Sequence, residues 1–410
     1  MSDNVFDVLS ERGFIEQVSD AEGVRAAVQR PIACYVGFDP TADSFHVGNL
    51  VPIMALAHMQ HGGHRPIAVM GGGTGMVGDP SGKTEMRKLL LVDQIDTYLV
   101  TLKKQMSALL DFGEGRAMMV NNADWLRTLN YLEFLRDVGR HFSVNRMLAA
   151  EAYRTRYESE TGLNFLEFNY MLLQAYDYLH LYRECGCVLQ MGGSDQWGNI
   201  LAGVDLIRRV EGAQTYAITF PLLTTASGAK MGKSERGAVW LDAERVPPYE
   251  YYQFWINTED ADVERFLALF TFLPMDRVRE LGRLEGADIR QAKEVLAFEA
   301  TRILHGEEAA RQAREASRLL FGRGEVSDAV PATDLDRAEL AAGVSAVELF
   351  RRVGLARSRS EARRLIEQGG AYVNDRPVSG VDRVLSTADV QGGQLLLRVG
   401  KKHYHRLVVR

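Results

Sequence analysis

From about residue 30 to 225 the chain alternates two kinds of apolar run, and this alternation constrains the fold more than any other feature. The short runs are ACYVGF (33–38), RPIAVMGG (65–72), RAMMVNNA (116–123) and CVLQMGG (187–193), each bounded by Gly, Pro or Asn. They read as strands. Between them, segments 50–63, 92–112 and 164–185 carry apolar residues at i, i+3, i+4 spacing and read as helices. Strand and helix in alternation predict a parallel sheet in an open α/β domain, where ligands sit beyond the carboxyl ends of the strands. Each candidate strand ends in Gly, Asp or Asn, which is where a site would lie.

The rest of the chain is organised differently. From about 245 to 321 the pattern is helical, punctuated by Pro274, Gly286 and Gly306. Residues 322–343 mix Gly, Asp, Pro and Ala with little periodicity and read as a linker. From 344 a compact unit is expected: a short helix closed by Gly354, a Ser-capped helix stopped by Gly369-Gly370, then strands, the last two turning at Gly400-Lys401. The net charge of −6 hides an asymmetry, since 344–410 holds 13 Lys and Arg against 6 Asp and Glu, leaving the preceding chain at −13. A basic appendage on an acidic body is one pattern of polyanion binding; an ordinary solvated face is the other reading. No apolar run approaches the ~18–20 residues of a membrane span. The N-terminus lacks a signal pattern, and three cysteines (Cys34, Cys185, Cys187) form no C-x-x-C pair, which together predict a cytoplasmic protein.

Several segments carry chemistry. In the glycine-rich stretch 71–87, Gly73-x-Gly75-x-x-Gly78 matches a dinucleotide fingerprint, but Asp79-Pro80 breaks the helix that fingerprint needs. Gly82-Lys83-Thr84 resembles the end of a P-loop, but the first required glycine is Val77. What survives is Asp79 as a carboxylate at a strand terminus, suited to an ammonium group, with Lys83 and Arg87 suited to phosphates. Alone, this segment reads better as a surface loop with solvated charges. Phe45-His46-Val47-Gly48-Asn49 precedes helix 50–61, so His46 and Asn49 place neutral donors at a helix N-terminus, and Gly48 is expected to let a ligand approach the backbone. Lys230-Met231-Gly232-Lys233-Ser234 puts two lysines on a Gly/Ser-rich loop that could fold over a polyphosphate. Tyr170, Gln174 and Asp177 stand at i, i+4 and i+7 and share one helix face.

The H-x-G-N element followed some 180 residues later by K-M-G-K-S resembles the class I aminoacyl-tRNA synthetases. GFDPTADSFHVGN (37–49), GDPSGK (78–83), NYMLLQAYDY (169–178), QMGGSDQWGNI (190–200) and KMGKS, in that order, resemble the tyrosyl-tRNA synthetase family, and 344–410 resembles the S4-type RNA-binding domain of its bacterial members. The resemblance implies a Rossmann-like catalytic domain over 1–230, a helical anticodon-arm domain over 231–321, the linker, and a small α+β S4-like domain over 344–410. It implies adenylation of tyrosine by ATP with Mg²⁺, then transfer to tRNA(Tyr), in a homodimer. His46, Asn49, Lys83, Arg87, Lys230 and Lys233 would be catalytic; Asn49 stands where the family has a second histidine. Tyr35, at the end of the first strand, and Asp177 would read the phenol, and Asp79, Tyr170, Gln174 and Gln190 would surround the α-ammonium. Gly37, Asp39, Thr41, Gly48, Gly193, Asp195 and Gln196 would line ATP with His46, Lys230 and Lys233. RNA contacts would come from Arg357, Arg359, Arg363, Arg364, Lys401 and Lys402, with Arg406 and the interleaved Tyr404 beside them.

Other readings are kept beside these. His58, His61 and His64 imitate a metal cluster but read as a helix terminus and turn; Cys185, Cys187, Trp197 and Trp240 read as packing residues. The apolar residues Tyr131, Leu132, Phe134, Leu135 and Phe142 could be interface or ordinary core. A tryptophan-activating relative, a non-catalytic RNA-binding protein on the same fold, and a small nucleotidyltransferase are the competing functions.

Overall fold

In the computed structural model, which describes residues 4–81, 92–160, 162–228, 231, 233–234, 237–322, 330–400 and 403–410, the apolar runs pair as expected. The strands are β1 (Gln17–Val18), β2 (Ala33–Phe38), β3 (Arg65–Met70), β4 (Met118–Asn121), β5 (Cys187–Gly193) and β6 (Tyr216–Phe220). They form one sheet in the order β1-β6-β5-β2-β3-β4, parallel except for the antiparallel edge strand β1. The chain winds outward from β2 to β4 on one side and from β5 to β6 on the other, so strand order reverses between β2 and β5. A crevice opens at such a switch point, outside the carboxyl ends.

Helices cover both faces. Helix Leu50–His61 is apolar nearly all round, and nine of its twelve residues are buried against the sheet and helix Val263–Phe270. Its last turn presents His58, buried against the rings of Phe14 and Phe272, and burial pushes its pKa down to about 3. The opposite face carries helix Tyr170–Cys185, packed on helix Trp197–Glu211, with Tyr35, Ile67 and Val69 beneath. The helix expected over 164–185 is two: a single turn Phe165–Phe168 closed by an Asn164/Glu167 capping box, then Tyr170–Cys185. The helix expected over 92–112 runs only Val92–Met106. The start of helix Tyr170–Cys185 is anchored by the Tyr153 hydroxyl, which donates to Phe168 O at 3.0 Å and accepts from Met171 N–H at 2.9 Å.

By contacts the chain divides into two units, the first Met1–Gly232, Trp240–Asp242 and Glu259–Ile289, the second Lys233–Val239, Ala243–Thr258 and Arg290–Arg410. In the second, helix Pro248–Ile256 packs on helix Glu307–Gly322, with Gln253 Nε2 donating to Ser317 Oγ at 3.0 Å. Its sheet contains the expected hairpin Gln394–Val399 and His403–Val409, plus Ala371–Val373 and Arg376–Pro377 joined by a turn whose Asn374 and Asp375 have φ of 47° and 61°. Residues 332–342, expected as part of a linker, are ordered: strand Ala332–Leu335 pairs parallel with His403–Val409, and helix Arg337–Ala342 follows it, capped by Asp336. The aperiodic sequence hid them because this edge strand is mostly exposed and only Leu335 faces the core.

The Arg156–Glu167 pair lies just upstream of helix Tyr170–Cys185 at 3.3 Å, with side chains only 3% and 2% exposed. Removing one partner of such a pair strands a buried charge. Glu167→Ala is therefore expected to lower unfolding free energy by about 3–5 kcal/mol, and the double replacement Arg156→Met/Glu167→Leu by much less, read from urea midpoints of the full chain.

Candidate active site

The crevice between β2 and β5 holds a cavity of about 630 Å³. Its lining brings together residues far apart in sequence: Tyr35, Gly37, Asp39, Thr41, His46, Asn49, Asp79, Tyr170, Gln174, Asp177, Gln190, Gly193, Asp195 and Gln196. A Cβ on Gly37 would meet nothing within 4 Å, so this glycine borders open space. Gly48 is different. A Cβ there would lie 2.7 Å from the His46 ring, so the absence of a side chain leaves room for that ring.

Asp177 is one of two carboxylates buried in the cavity wall, as deeply as Asp79. Its Oδ2 accepts from Asn122 Nδ2 at 2.9 Å and its Oδ1 from Trp125 Nε1 at 2.7 Å. Burial, with a smaller contribution from Asp39, raises its pKa to about 7 against the pull of those two donors. Tyr35 lies within β2, not at its end as expected, with its ring edge-on to Tyr178 at 5.3 Å. Its hydroxyl is buried without a hydrogen-bond partner among the described residues, and so is Gln190 Oε1. Burial, reinforced by Asp177, holds the Tyr35 phenol well above its ordinary pKa, so it stays protonated. Buried polar groups rarely go unpaired, and two on one cavity wall mark a place for a polar ligand.

The carboxylates form a second cluster. Asp79 is 4% exposed; its Oδ2 accepts from Gln196 Nε2 at 2.7 Å and its Oδ1 from Ser81 N–H at 2.9 Å. Asp39 accepts from Thr74 Oγ1 at 3.2 Å and from the Tyr170 hydroxyl at 3.3 Å. Four aspartates face the cavity and no Lys or Arg does among the described residues, an electrostatic setting for a cation such as an ammonium group.

At the start of helix Leu50–His61 the geometry fixes a tautomer. His46 Nδ1 accepts from Gly48 N–H at 3.0 Å, which leaves the ring proton on Nε2. Asn49 Oδ1 accepts from His46 N–H at 3.1 Å, leaving its Nδ2 as the remaining donor. Trp240 packs edge-on to His46 at 6.1 Å, and Leu241 N–H donates to Phe45 O at 2.8 Å. Trp240 and Trp197, expected as core, are both half-buried; Trp240 braces the His46 segment. Lys83, Arg87, Lys230, Lys401 and Lys402 lie outside the described residues, and of Lys233 only the backbone, in the short strand Lys233–Ser234, lies within them.

A family model described as tRNA synthetases class I (W and Y) matches residues 27–322, and one described as the tyrosine–tRNA ligase SYY-like C-terminal domain matches 325–407. The tyrosine–tRNA ligase of Desulfosudis oleivorans is 58% identical over 374 residues, 86% of each chain. That of Caldanaerobacter subterraneus is 57% identical over 335 residues, 82% of each. The chain belongs to the tyrosine–tRNA ligase family of class I synthetases. Among solved structures, the C-terminally truncated mitochondrial tyrosyl-tRNA synthetase of Aspergillus nidulans has a TM-score of 0.70 at 32% identity, covering 78% of this chain and 94% of that one.

Within this synthetase the C-terminal residues named from sequence divide. Arg357, Arg359, Arg363 and Arg364 are exposed, but Arg359 is paired with Glu348 at 2.8 Å. Arg406 is 8% exposed, with Nε donating to Val330 O at 3.2 Å, and Tyr404 is buried with Tyr249, Ala316, Val330 and Leu396. Both are core residues of that unit, not a basic and stacking surface, because alternate residues of an edge-paired strand face inward. Sequence reasoning missed Asn122 and Trp125. The asparagine pair ending the β4 run was a visible signal; nothing marked the tryptophan.

The folded pKa of Asp177 lies above its unfolded value, so its contribution to stability is full in acid and is lost as pH rises through about 7. A phenol hydroxyl that donates to this group favours the ionised form, so binding expels a proton below pH 7. The tyrosine Kd from equilibrium dialysis is expected to rise as pH falls from about 7 to 5.5, by up to ~10-fold per unit. Asp177→Asn should flatten that profile.

Proposed function

We propose that this chain, a tyrosine–tRNA ligase by family, uses the β2/β5 cavity to join tyrosine to ATP as tyrosyl-adenylate, releasing pyrophosphate, and then passes the tyrosyl group to the terminal adenosine of tRNA(Tyr). The observation that carries this reading is the buried Asp177 carboxylate, held by two N–H donors on the same wall as a buried Tyr35 hydroxyl that has no partner among the described residues. An acceptor and a hydroxyl so placed match a phenol O–H. A phenylalanine ring would leave both unpaired, an effect for which tyrosine-selecting synthetases are themselves the type case. Asp79, Tyr170, Gln174 and Gln190 are the residues proposed around the α-ammonium.

The tyrosine carboxylate is already a nucleophile, so the chemistry needs positioning and charge stabilisation rather than a general base. It attacks the α-phosphorus, the bond to the bridging oxygen breaks, and pyrophosphate carries away the charge. His46 supports this as a fixed Nε2–H donor at a helix N-terminus, with Asn49 as a second donor. Gly37, Asp39, Thr41, Gly193, Asp195 and Gln196 are proposed along the nucleotide. Lys83, Arg87, Lys230 and Lys233 are proposed for the departing phosphates, and Mg²⁺ is proposed to arrive with ATP. In the second unit, Arg363 and Arg364 on helix Arg359–Glu367 are exposed and have no ion-pair partner among the described residues, which supports phosphate contact. The helices between 245 and 321 are proposed to dock the anticodon arm. Tyr131, Leu132, Val144 and Phe165 are 56–74% exposed, which supports burial against a second copy in a cytoplasmic homodimer.

Tyrosine-dependent ATP–pyrophosphate exchange tests the reading, with tryptophan and phenylalanine as controls. Exchange with tyrosine alone is the expected result; equal exchange with either control rejects it. Arg363→Glu/Arg364→Glu is expected to leave that exchange intact while weakening tRNA charging on the order of 10-fold or more, with a shallower salt dependence of tRNA binding.

A further inference from the structure

The two donors that hold Asp177 are themselves held very differently. Asn122 is fully buried, its Oδ1 accepting from Gly73 N–H at 2.7 Å and its Nδ2 donating to Thr74 Oγ1 at 3.1 Å as well as to Asp177. Trp125 is half-buried on the four-residue helix Ala123–Leu126, and its single N–H is spent on Asp177 Oδ1. An indole can swing about two side-chain torsions, so something must fix its plane. The flat face of Trp125 is covered by the imidazole of His180, with centroids 4.4 Å apart and planes 22° from parallel.

His180 stands three residues beyond Asp177 on helix Tyr170–Cys185, on the same face one turn along. One helix therefore carries both the carboxylate and the ring that fixes the carboxylate's donor. The stack continues away from the cavity: Tyr176 lies 6.4 Å from His180 with planes 32° apart, and Phe134 packs edge-on to Tyr176 at 5.7 Å. His180 itself does not line the cavity.

We propose that His180 is a positioning residue for amino-acid selection: its ring holds the Trp125 indole in plane, keeping Nε1–H on Asp177 and the carboxylate aimed at the side-chain hydroxyl of the substrate. The inference rests on the reading of Asp177 given above. Without the stack, Trp125 can rotate, and the buried carboxylate keeps only Asn122 and loses its fixed orientation. Burial lowers the His180 pKa, so the ring stacks in its neutral form, and a flat neutral aromatic side chain can take its place.

The test is ATP–pyrophosphate exchange with His180→Ala and His180→Phe, using tyrosine and phenylalanine as substrates. His180→Ala is expected to raise the tyrosine KM by about three- to tenfold and to lower tyrosine-over-phenylalanine discrimination by a similar factor. The KM for ATP and kcat should stay at wild-type values, and His180→Phe should restore both tyrosine readouts. The proposal is overturned if His180→Ala leaves the tyrosine KM and discrimination unchanged. It is equally overturned if kcat and the ATP KM shift in parallel, or if His180→Phe is as impaired as His180→Ala. Asp177→Asn run alongside separates the two levels of inference. Unchanged discrimination in that variant rejects the pocket reading itself, whereas a large loss there with a silent His180→Ala rejects only the role of His180.

Discussion

A carboxylate taken out of water must be held by donors or give up its charge, and the cavity wall is organised around one such group. Asp177 sits at the balance point: burial pushes its pKa up, Asn122 and Trp125 pull it down, and the outcome is about 7. The constraint spreads outward. Asn122 needs Gly73 and Thr74 to fix it, Thr74 leans on Asp39, and Asp39 takes the Tyr170 hydroxyl. A single buried charge thus links the ends of β2, β3 and β4 to helix Tyr170–Cys185.

The sheet makes that linkage cheap in chain length. Because strand order reverses between β2 and β5, the loops after β2, β3 and β5 converge on one crevice, although its lining residues run from Tyr35 to Ile200. Helix Leu50–His61, buried on nearly every side, then delivers its N-terminus and His46 to the same place. Its His46 tautomer is set by a backbone N–H two residues along, and Trp240 packs edge-on to the same ring.

What the sequence discloses depends on how local each signal is. The parallel sheet is legible because short, Gly-bounded apolar runs alternate with 3.6-period ones, and Tyr170, Gln174 and Asp177 are legible because helical spacing alone puts them on one face. Asn122 and Trp125 are not legible, since their importance comes from approaching a residue more than fifty positions away. Gly48 carries a constraint the motif alone does not spell out: its neighbour in space is the ring two residues earlier, which a side chain there would crowd. In the second unit, basic and aromatic residues on the final hairpin look like one surface. Strand alternation splits them, turning Tyr404 and Arg406 inward.

Strand Ala332–Leu335 closes the far edge of the C-terminal sheet, and it comes from upstream of residue 344, where the sequence pattern begins the S4-like unit. A fragment begun at 344 would strip that cover and present His403–Val409 as a bare row of amide and carbonyl groups. Such a row is a template for any passing extended peptide, including the same strand of a neighbouring molecule. The natural border of this module therefore lies before its composition changes, at the point where its outermost ladder is complete.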